Sequence, residues 1–371
     1  MIDDWNKIQN QNSKIQNHMM PIKVLVVDDS LFMRTLVSDM LDSDRRIEVI
    51  DTAKNGAEAL KKIPEIKPDC ITLDLAMPGW DGLTTLKHIM SQYPTPVVIV
   101  SAYSKEDADI TIKCLNAGAV GFVLKPSGEL SLDIRTVEEQ LLEQVVAAAK
   151  VNVAKFKSLV ARKPKRARRK LIGINKIVVI GASTGGLQTL EAILPSIPSD
   201  FPASIIVVQH APSRFFSQSM AEHLNKTSPL LVKVAGNNEL IQAGYVYFAP
   251  SGFRMTVTNR SPQYESGLIN HDQRFISLSE EEPSALSPSI DNIMRSVAKI
   301  YAGNVIGIIL TGMGQDGREG MKAIKEFGGK TIAQDESSLI FGMPKVVIDA
   351  GFADKVLPAS GIARAILDLV A

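Results

Sequence analysis

The chain has little of what marks a secreted, membrane or nucleic-acid-binding protein. Its 371 residues include two cysteines, Cys70 and Cys114, each within an apolar stretch. That excludes a disulfide framework and reads as reduced core thiols. Basic and acidic residues number 41 and 40, a formal net charge of +1, so no global field draws nucleic acid or an anionic membrane. No apolar run approaches the roughly 18 residues needed to span a bilayer. The opening Met1-Ile2-Asp3-Asp4-Trp5-Asn6 lacks the basic and apolar regions of a signal peptide. What is present, 45% hydrophobic and 22% charged residues, suits a globular protein expected in the cytoplasm, without direct membrane insertion. The length points to two or three domains.

Residues 1–20 are rich in Gln and Asn, lack periodicity, and are expected to be a disordered extension. A start at Met19 or Met20 would leave the folded part intact, so the first 18 residues read as a dispensable tail or a misplaced start. Over 21–146, apolar runs (Val24–Val27, Val49–Ala53, Cys70–Leu73, Val97–Val100, Val120–Leu124) alternate with amphipathic stretches such as Leu31–Leu41, Ala57–Ile63 and Leu83–Met90. Five such units predict an α/β domain with a parallel sheet. The last helix is expected to run from Val137 past Val153, which makes 147–175 a linker that begins helical and turns basic at Arg162–Lys170. A second α/β pattern occupies 176–371. Its predicted strands are Ile177–Ile180, Ile205–Val208, Val305–Leu310, Thr331–Ala333 and Val356-Leu357, with a hairpin of Tyr245–Ala249 against Met255–Thr258 turned at Pro250-Ser251-Gly252.

Parallel sheets gather functional groups where their strands end. In the first unit those ends carry Asp28-Asp29, Asp74, Ser101 and Lys125. Three carboxylates at one edge repel unless a cation neutralises them. Mg²⁺, a hard ion that takes oxygen ligands and leaves positions for phosphate, suits Asp28, Asp29 and Asp74. Ser101 and Lys125 can then hold the remaining phosphoryl oxygens, with Asp74 as the nucleophile. Any one of these residues could be an ordinary helix cap. Five at the ends of four strands are harder to explain that way.

In the second unit a strand runs into Gly181-Ala182-Ser183-Thr184-Gly185-Gly186, a G-x-S-x-G turn that lifts a serine to the positive end of a helix. Glycine-rich turns also cradle dinucleotide phosphates, but that use needs an acid at the next strand end. Here the next strand ends in Gln209-His210, and an imidazole serves a serine. A third buried strand opens into Thr311-Gly312-Met313-Gly314-Gln315-Asp316-Gly317, where Asp316 can cap the next helix or orient His210. The chain order Ser183, His210, Asp316 differs from the Ser, Asp, His order of α/β-hydrolases and disfavours that fold.

On Val26-Val27-Asp28-Asp29-Ser30, Leu73-Asp74-Leu75-Ala76-Met77-Pro78, Asp81-Gly82-Leu83 and Phe122-Val123-Leu124-Lys125-Pro126, the first unit resembles response-regulator receivers. The resemblance implies a flavodoxin-like (βα)5 fold. It makes Asp74 the phosphoacceptor from a histidine kinase, Phe122 a switch aromatic, and Lys125-Pro126 a cis peptide. Ala76 departs from related receivers, which usually carry a carboxylate there. On Ile180–Gly186, Val208-Gln209-His210, Pro288-Ser289-Ile290-Asp291, Leu310–Gly317, Gln334-Asp335 and Phe341-Gly342-Met343-Pro344, the second unit resembles the catalytic domain of the CheB protein-glutamate methylesterases.

That second resemblance implies a doubly wound, mostly parallel Rossmann-like sheet with an antiparallel hairpin. It implies a cofactor-free serine esterase that hydrolyses glutamate γ-methyl esters on chemoreceptors, with the Met313 N–H as oxyanion donor. Some family members also deamidate receptor glutamines. A monomer with no nucleic-acid partner is expected. Two departures flank the implied groove. The family usually has a histidine after Ala-Pro-Gly, where this chain reads Ala249-Pro250-Ser251-Gly252-Phe253-Arg254. Ala211–Phe216 carries one extra residue and lacks the usual Met.

Overall fold

The computed structural model describes residues 20–126, 134–153, 176–259, 273–280 and 287–371. The expected N-terminal extension up to Met19 and the basic run Arg162–Lys170 lie outside them.

The first unit alternates strands β1 (Ile22–Val27), β2 (Ile47–Ala53), β3 (Cys70–Asp74), β4 (Val97–Ser101) and β5 (Gly121–Leu124) with helices α1 (Leu31–Asp42), α2 (Gly56–Ile66), α3 (Gly82–Gln92), α4 (Lys105–Asn116) and α5 (Ile134–Ala148). The sheet is parallel in the order β2-β1-β3-β4-β5. Strands β3 and β4 are buried on both faces, as continuous apolar runs under helices must be. Ser30, Asn55, Asp81 and Ser104 cap the four helices that follow β1 to β4, each accepting a main-chain N–H one turn on.

Helix α5 ends at Ala148, short of the expected Val153. The Lys150 and Val151 N–H groups close back three residues, onto Ala147 and Ala148, and stop the helix. Val153 is nevertheless buried, so the apolar signal was for packing and not for helix. The Lys125–Pro126 peptide is also not cis. Among the described residues the cis bond is Ser287–Pro288. The two isomers of an X–Pro bond differ by only about 0.5–1 kcal/mol, so local packing decides between them.

The second unit has a seven-stranded parallel sheet made of β6 (Ile177–Ala182), β7 (Ser204–Gln209), β8 (Leu231–Val234), β10 (Tyr245–Phe248), β13 (Val305–Ile309), β14 (Lys330–Gln334) and β15 (Lys355–Leu357), in the order β15-β14-β13-β6-β7-β10-β8. Helices α6 (Gly186–Ile193), α7 (Arg214–Thr227), α8 (Ile290–Tyr301), α9 (Arg318–Glu326), α10 (Met343–Asp349) and α11 (Ala359–Val370) complete it. A separate antiparallel sheet joins β11 (Phe253–Thr258), β12 (Phe275–Glu280) and β9 (Glu239–Leu240), in the order β11-β12-β9.

The expected hairpin partners were therefore wrong. Tyr245–Phe248 lies between β7 and β8 in the parallel sheet, and Phe253–Thr258 pairs with β12. The burial pattern gives the reason. β10 is covered almost throughout, whereas β11 alternates buried and accessible positions in its second half, as a one-faced strand does. Gly252, at φ +82°, turns the chain from one sheet to the other.

The two units share an apolar core. Ile112 and Leu115 of α4 belong to the same cluster as Leu187 and Leu190 of α6, and α4 lies along α7.

Candidate active site

In both parallel sheets the first strand of the unit is an interior strand and the chain leaves it in opposite directions, which opens a crevice at the strand ends. Both predicted sites stand there.

In the second unit Ser183 follows β6, His210 follows β7, and Asp316 lies in the turn after β13. Ala182 pairs with Gln209, and the His210 N–H donates to the Ala182 carbonyl at 3.0 Å, so the serine and the histidine leave the sheet side by side. His210 Nε2 lies 2.9 Å from Asp316 Oδ2. Among the described residues no hydrogen bond joins Ser183 Oγ to His210, so the structure links two of the three predicted residues and brings the third alongside.

Among the described residues, Asp316 meets its own helix α9 only through the Gly317 N–H, which Oδ1 accepts at 3.1 Å. Its carboxylate sits at the start of α8, where Oδ2 accepts the Ile290 N–H at 2.8 Å and Oδ1 accepts the Asp291 N–H at 2.9 Å. Free N–H groups at a helix start favour an anion there. Burial alone would raise the Asp316 pKa. The His210 hydrogen bond and charge, with the two α8 N–H groups, outweigh it and hold the carboxyl below its ordinary range. An ionised carboxylate only accepts, so the hydrogen between these partners belongs to Nε2. In the neutral ring, Nδ1 of His210 is then the nitrogen with a free lone pair.

Asp291 accepts from the Gly317 and Gly320 N–H groups at the start of α9. The segment Pro288–Asp291, noted in the sequence only for its resemblance, therefore supplies two of the donors that seat Asp316. Gln209 was also missed. Its Nε2 donates to the Ser183 and His210 carbonyls at 2.9 and 3.0 Å, tying the two turns together.

The Thr311–Met313 loop presses on the nucleophile turn. The Ser183 N–H donates to the Thr311 carbonyl, and Thr311 Oγ1 donates to that of Thr184. A Cβ on Gly312 would lie 2.7 Å from Ser183 Cβ, so only glycine allows this approach. The Gly312 carbonyl accepts the Gly342 and Met343 N–H groups at the start of α10. In a trans peptide the adjoining Met313 N–H points the other way, out of that bonded network.

In the first unit Asp28, Asp29 and Asp74 bring carboxylate oxygens within 4.8 Å of one another, with Asp28 and Asp74 buried and Asp29 exposed. Lys125 Nζ reaches Asp28 at 2.8 Å and Asp74 at 2.9 Å. Burial raises the Asp74 pKa, and Lys125 only partly offsets it. Three carboxylates against one ammonium leave an excess of negative charge at an oxygen-only donor set, which fits a hard divalent cation. Ser101 is fully buried and Thr111 Oγ1 donates to its hydroxyl at 3.2 Å.

Phe122 does not face solvent alone. It stacks on Phe216 of α7. Around that stack Gln144 Nε2 donates to Thr184 Oγ1 at 2.8 Å, Gln188 Nε2 to the Leu115 carbonyl at 3.2 Å, and Ser219 Oγ to Asp109 at 2.6 Å. The α4–β5–α5 face of the first unit thus lies against the second, one residue from Ser183. No sequence signal marked Gln144, Phe216 or Ser219, because a contact between units leaves no periodicity of its own.

A family model for the CheB methylesterase matches residues 178–366, and one for the response regulator receiver domain matches residues 24–136. A protein-glutamate methylesterase/protein-glutamine glutaminase of Archaeoglobus fulgidus is 45% identical over 93% of this chain and 97% of its own. Its Thermotoga maritima counterpart is 42% identical over 94% and 98%. The crystal structure of the Thermotoga maritima CheB methylesterase catalytic domain is 41% identical, covers 52% of this chain and 98% of that one, and aligns with a TM-score of 0.48.

Proposed function

The chain belongs to the CheB methylesterase family, with a response-regulator receiver domain in front, and from that premise we infer how its residues divide the work of a phosphorylation-regulated protein-glutamate methylesterase in chemotaxis-type signalling. Ser183 is the nucleophile, His210 the base and Asp316 the acid that orients it. The observation that carries this reading is the 2.9 Å bond from His210 Nε2 to Asp316 Oδ2 beside the Ser183 turn.

In that division of work Asp316 holds the Nε2–H tautomer, and Nδ1 takes the Ser183 proton as Oγ attacks the ester carbonyl. The Met313 N–H, turned out of its own network, stabilises the oxyanion. Methanol leaves with the proton from Nδ1. Water, deprotonated by the same nitrogen, then cleaves the acyl-enzyme and restores a glutamate carboxylate. Deamidation of receptor glutamines follows the same steps with ammonia as the leaving group, and is the slower activity because an amide expels a poorer leaving group. The esterase steps call on protein groups alone.

The receiver takes its phosphoryl group from a histidine kinase on Asp74. Asp28, Asp29 and Asp74 would hold Mg²⁺, which supplies charge neutralisation for the incoming phosphoryl oxygens. Lys125 and Ser101 bind those oxygens, and Phe122 reports the change through its contact with Phe216. The unphosphorylated receiver covers the edge beside Ser183, and phosphorylation shifts the population to an open form by as much as the phosphoryl contacts differ between the two. The protein acts in the cytoplasm as a monomer, on methylated chemoreceptors and without nucleic acid.

The test is methanol release from methylated receptor membranes with a phosphodonor. Ser183→Ala should abolish it and Asp74→Asn should leave only the basal rate. Full release by Ser183→Ala would end the esterase assignment. If removal of residues 1–170 gave no more activity than the unphosphorylated full chain, inhibition by the receiver would be wrong. A non-catalytic phospho-switch predicts no methanol at all, and a dinucleotide-binding reductase predicts quenching of cofactor fluorescence.

A further inference from the structure

Strand β11 is an edge strand whose free side lies along α8, and the Val257 N–H donates to Ser296 Oγ there at 3.2 Å. Between them runs an open groove of about 310 Å³, lined by Arg254, Thr256, Asn292, Arg295, Ser296 and Lys299 among others. Three cations meet in it, with Thr256, Asn292 and Ser296 as neutral hydrogen-bonding side chains and Val257 and Ile300 as apolar lining. Arg295 and Lys299 are both exposed, stand four residues apart on α8, and repel each other. Other exposed helices of this unit differ. Lys322–Glu326 on α9, Lys345–Asp349 on α10 and Arg364–Asp368 on α11 each set a cation four residues from an acid. On α8 the same spacing sets Arg295 against Asp291, whose carboxylate also accepts the Gly317 and Gly320 N–H groups, on one side and against Lys299 on the other, so Lys299 has no acid at that spacing.

The groove lies along α8, the helix whose start stands at the catalytic edge. The start of α8 holds Asp316 through the Ile290 and Asp291 N–H groups. At 1.5 Å per residue, Arg295 and Lys299 stand about 7.5 and about 13.5 Å along α8 from Ile290. A polypeptide that carried its ester side chain to Ser183 and ran along α8 would place side chains from neighbouring turns over these cations. Any glutamate of that segment that is not esterified is a carboxylate, and each turnover adds one.

We propose that the groove between β11 and α8 docks the carboxylates of the substrate segment that flank the scissile ester, so that Arg295 and Lys299 are specificity residues for an acidic polypeptide. The proposal rests on the methylesterase reading for its choice of occupant. Rim charges of this kind act on encounter and binding more than on the chemical step, and salt screens them.

Two measurements on the full-length protein test it. In the first, a fluorescently labelled glutamate peptide is titrated at low ionic strength into wild type and into the double variant Arg295→Glu, Lys299→Glu. Both positions are exposed, and circular dichroism checks that the variant folds. Binding should weaken at least about fivefold in the variant and converge with wild type at high salt. Equal affinity overturns the proposal, and so does equally tight binding of inorganic phosphate that displaces the peptide, which would make the groove a phosphate site. In the second, methanol release from methylated receptor membranes should show a raised KM and an unchanged kcat, while hydrolysis of a small neutral ester stays as in wild type. An unchanged KM, or equal loss on the neutral ester, also overturns it. If wild type released no methanol, the esterase reading would fall, while peptide binding would still judge the groove.

Discussion

Phe122 and Phe216 stack with ring centroids 4.4 Å apart and planes 14° from parallel, one ring from the receiver and the other from the helix that follows His210. Such pairs contribute about 0.5–1.5 kcal/mol beyond their burial. Phe122→Ala should therefore favour the open form by roughly twofold to tenfold and raise methanol release without a phosphodonor by that factor. A folded variant with unchanged basal activity would show that this stack does not hold the enzyme closed.

Asp316→Asn should lower kcat by about 10³–10⁴ with little change in overall structure, because an amide cannot hold the Nε2–H tautomer as a carboxylate does. It should also change the acid limb of stability. The native carboxyl has a depressed pKa, so its stabilisation is complete above the ordinary carboxylate value of about 4 and is lost as pH falls through the native one. Wild type should lose Tm in that acid window more steeply than the variant. Parallel curves would show that Asp316 contributes nothing through its charge.

Asp74 has the opposite sign. Burial raises its pKa, so the ionised form carries a penalty in the native state at neutral pH that fades as pH falls towards protonation. Asp74→Asn should raise the Tm of the receiver near pH 7, and the gain should shrink on acidification. The same variant should take up no phosphoryl group. A lower Tm at neutral pH would mean that the Lys125 ion pair outweighs the burial of the carboxylate.

Gly312→Ala tests the close approach to the nucleophile. The new methyl group would meet Ser183 Cβ at 2.7 Å, so the loop or the serine must move. Overpacking of this kind costs about 1–3 kcal/mol. A displacement near 1 Å at the reacting atom costs about 10²-fold in rate. Thermal unfolding would register the first effect and kinetics with a small ester the second; full activity would mean that the loop yields without disturbing Ser183.

The gathering of Asp28, Asp29 and Asp74 was legible in the sequence because the strands of a parallel sheet deliver their ends to one edge wherever the rest of the chain lies. The hairpin was not. Tyr245–Phe248 and Phe253–Thr258 are both strands, as their β-branched and aromatic content implies, but short apolar runs carry no record of which neighbour they pair with. The length of α5 failed for a related reason, since Val153 is apolar because it is buried and not because it is helical.

The sequence by itself determined the units, the order of strand and helix, and the residues at each strand end. Those follow from local periodicity and from the rule that parallel strands deliver their ends to one edge. Only the tertiary structure decided how those residues are held. It seated Asp316 on the first N–H groups of α8, laid Gln144 on Thr184, and brought Arg295 and Lys299 beside Arg254 in one groove. Each of these contacts joins positions tens of residues apart or more, or faces of separate elements, and only packing in three dimensions brings them together.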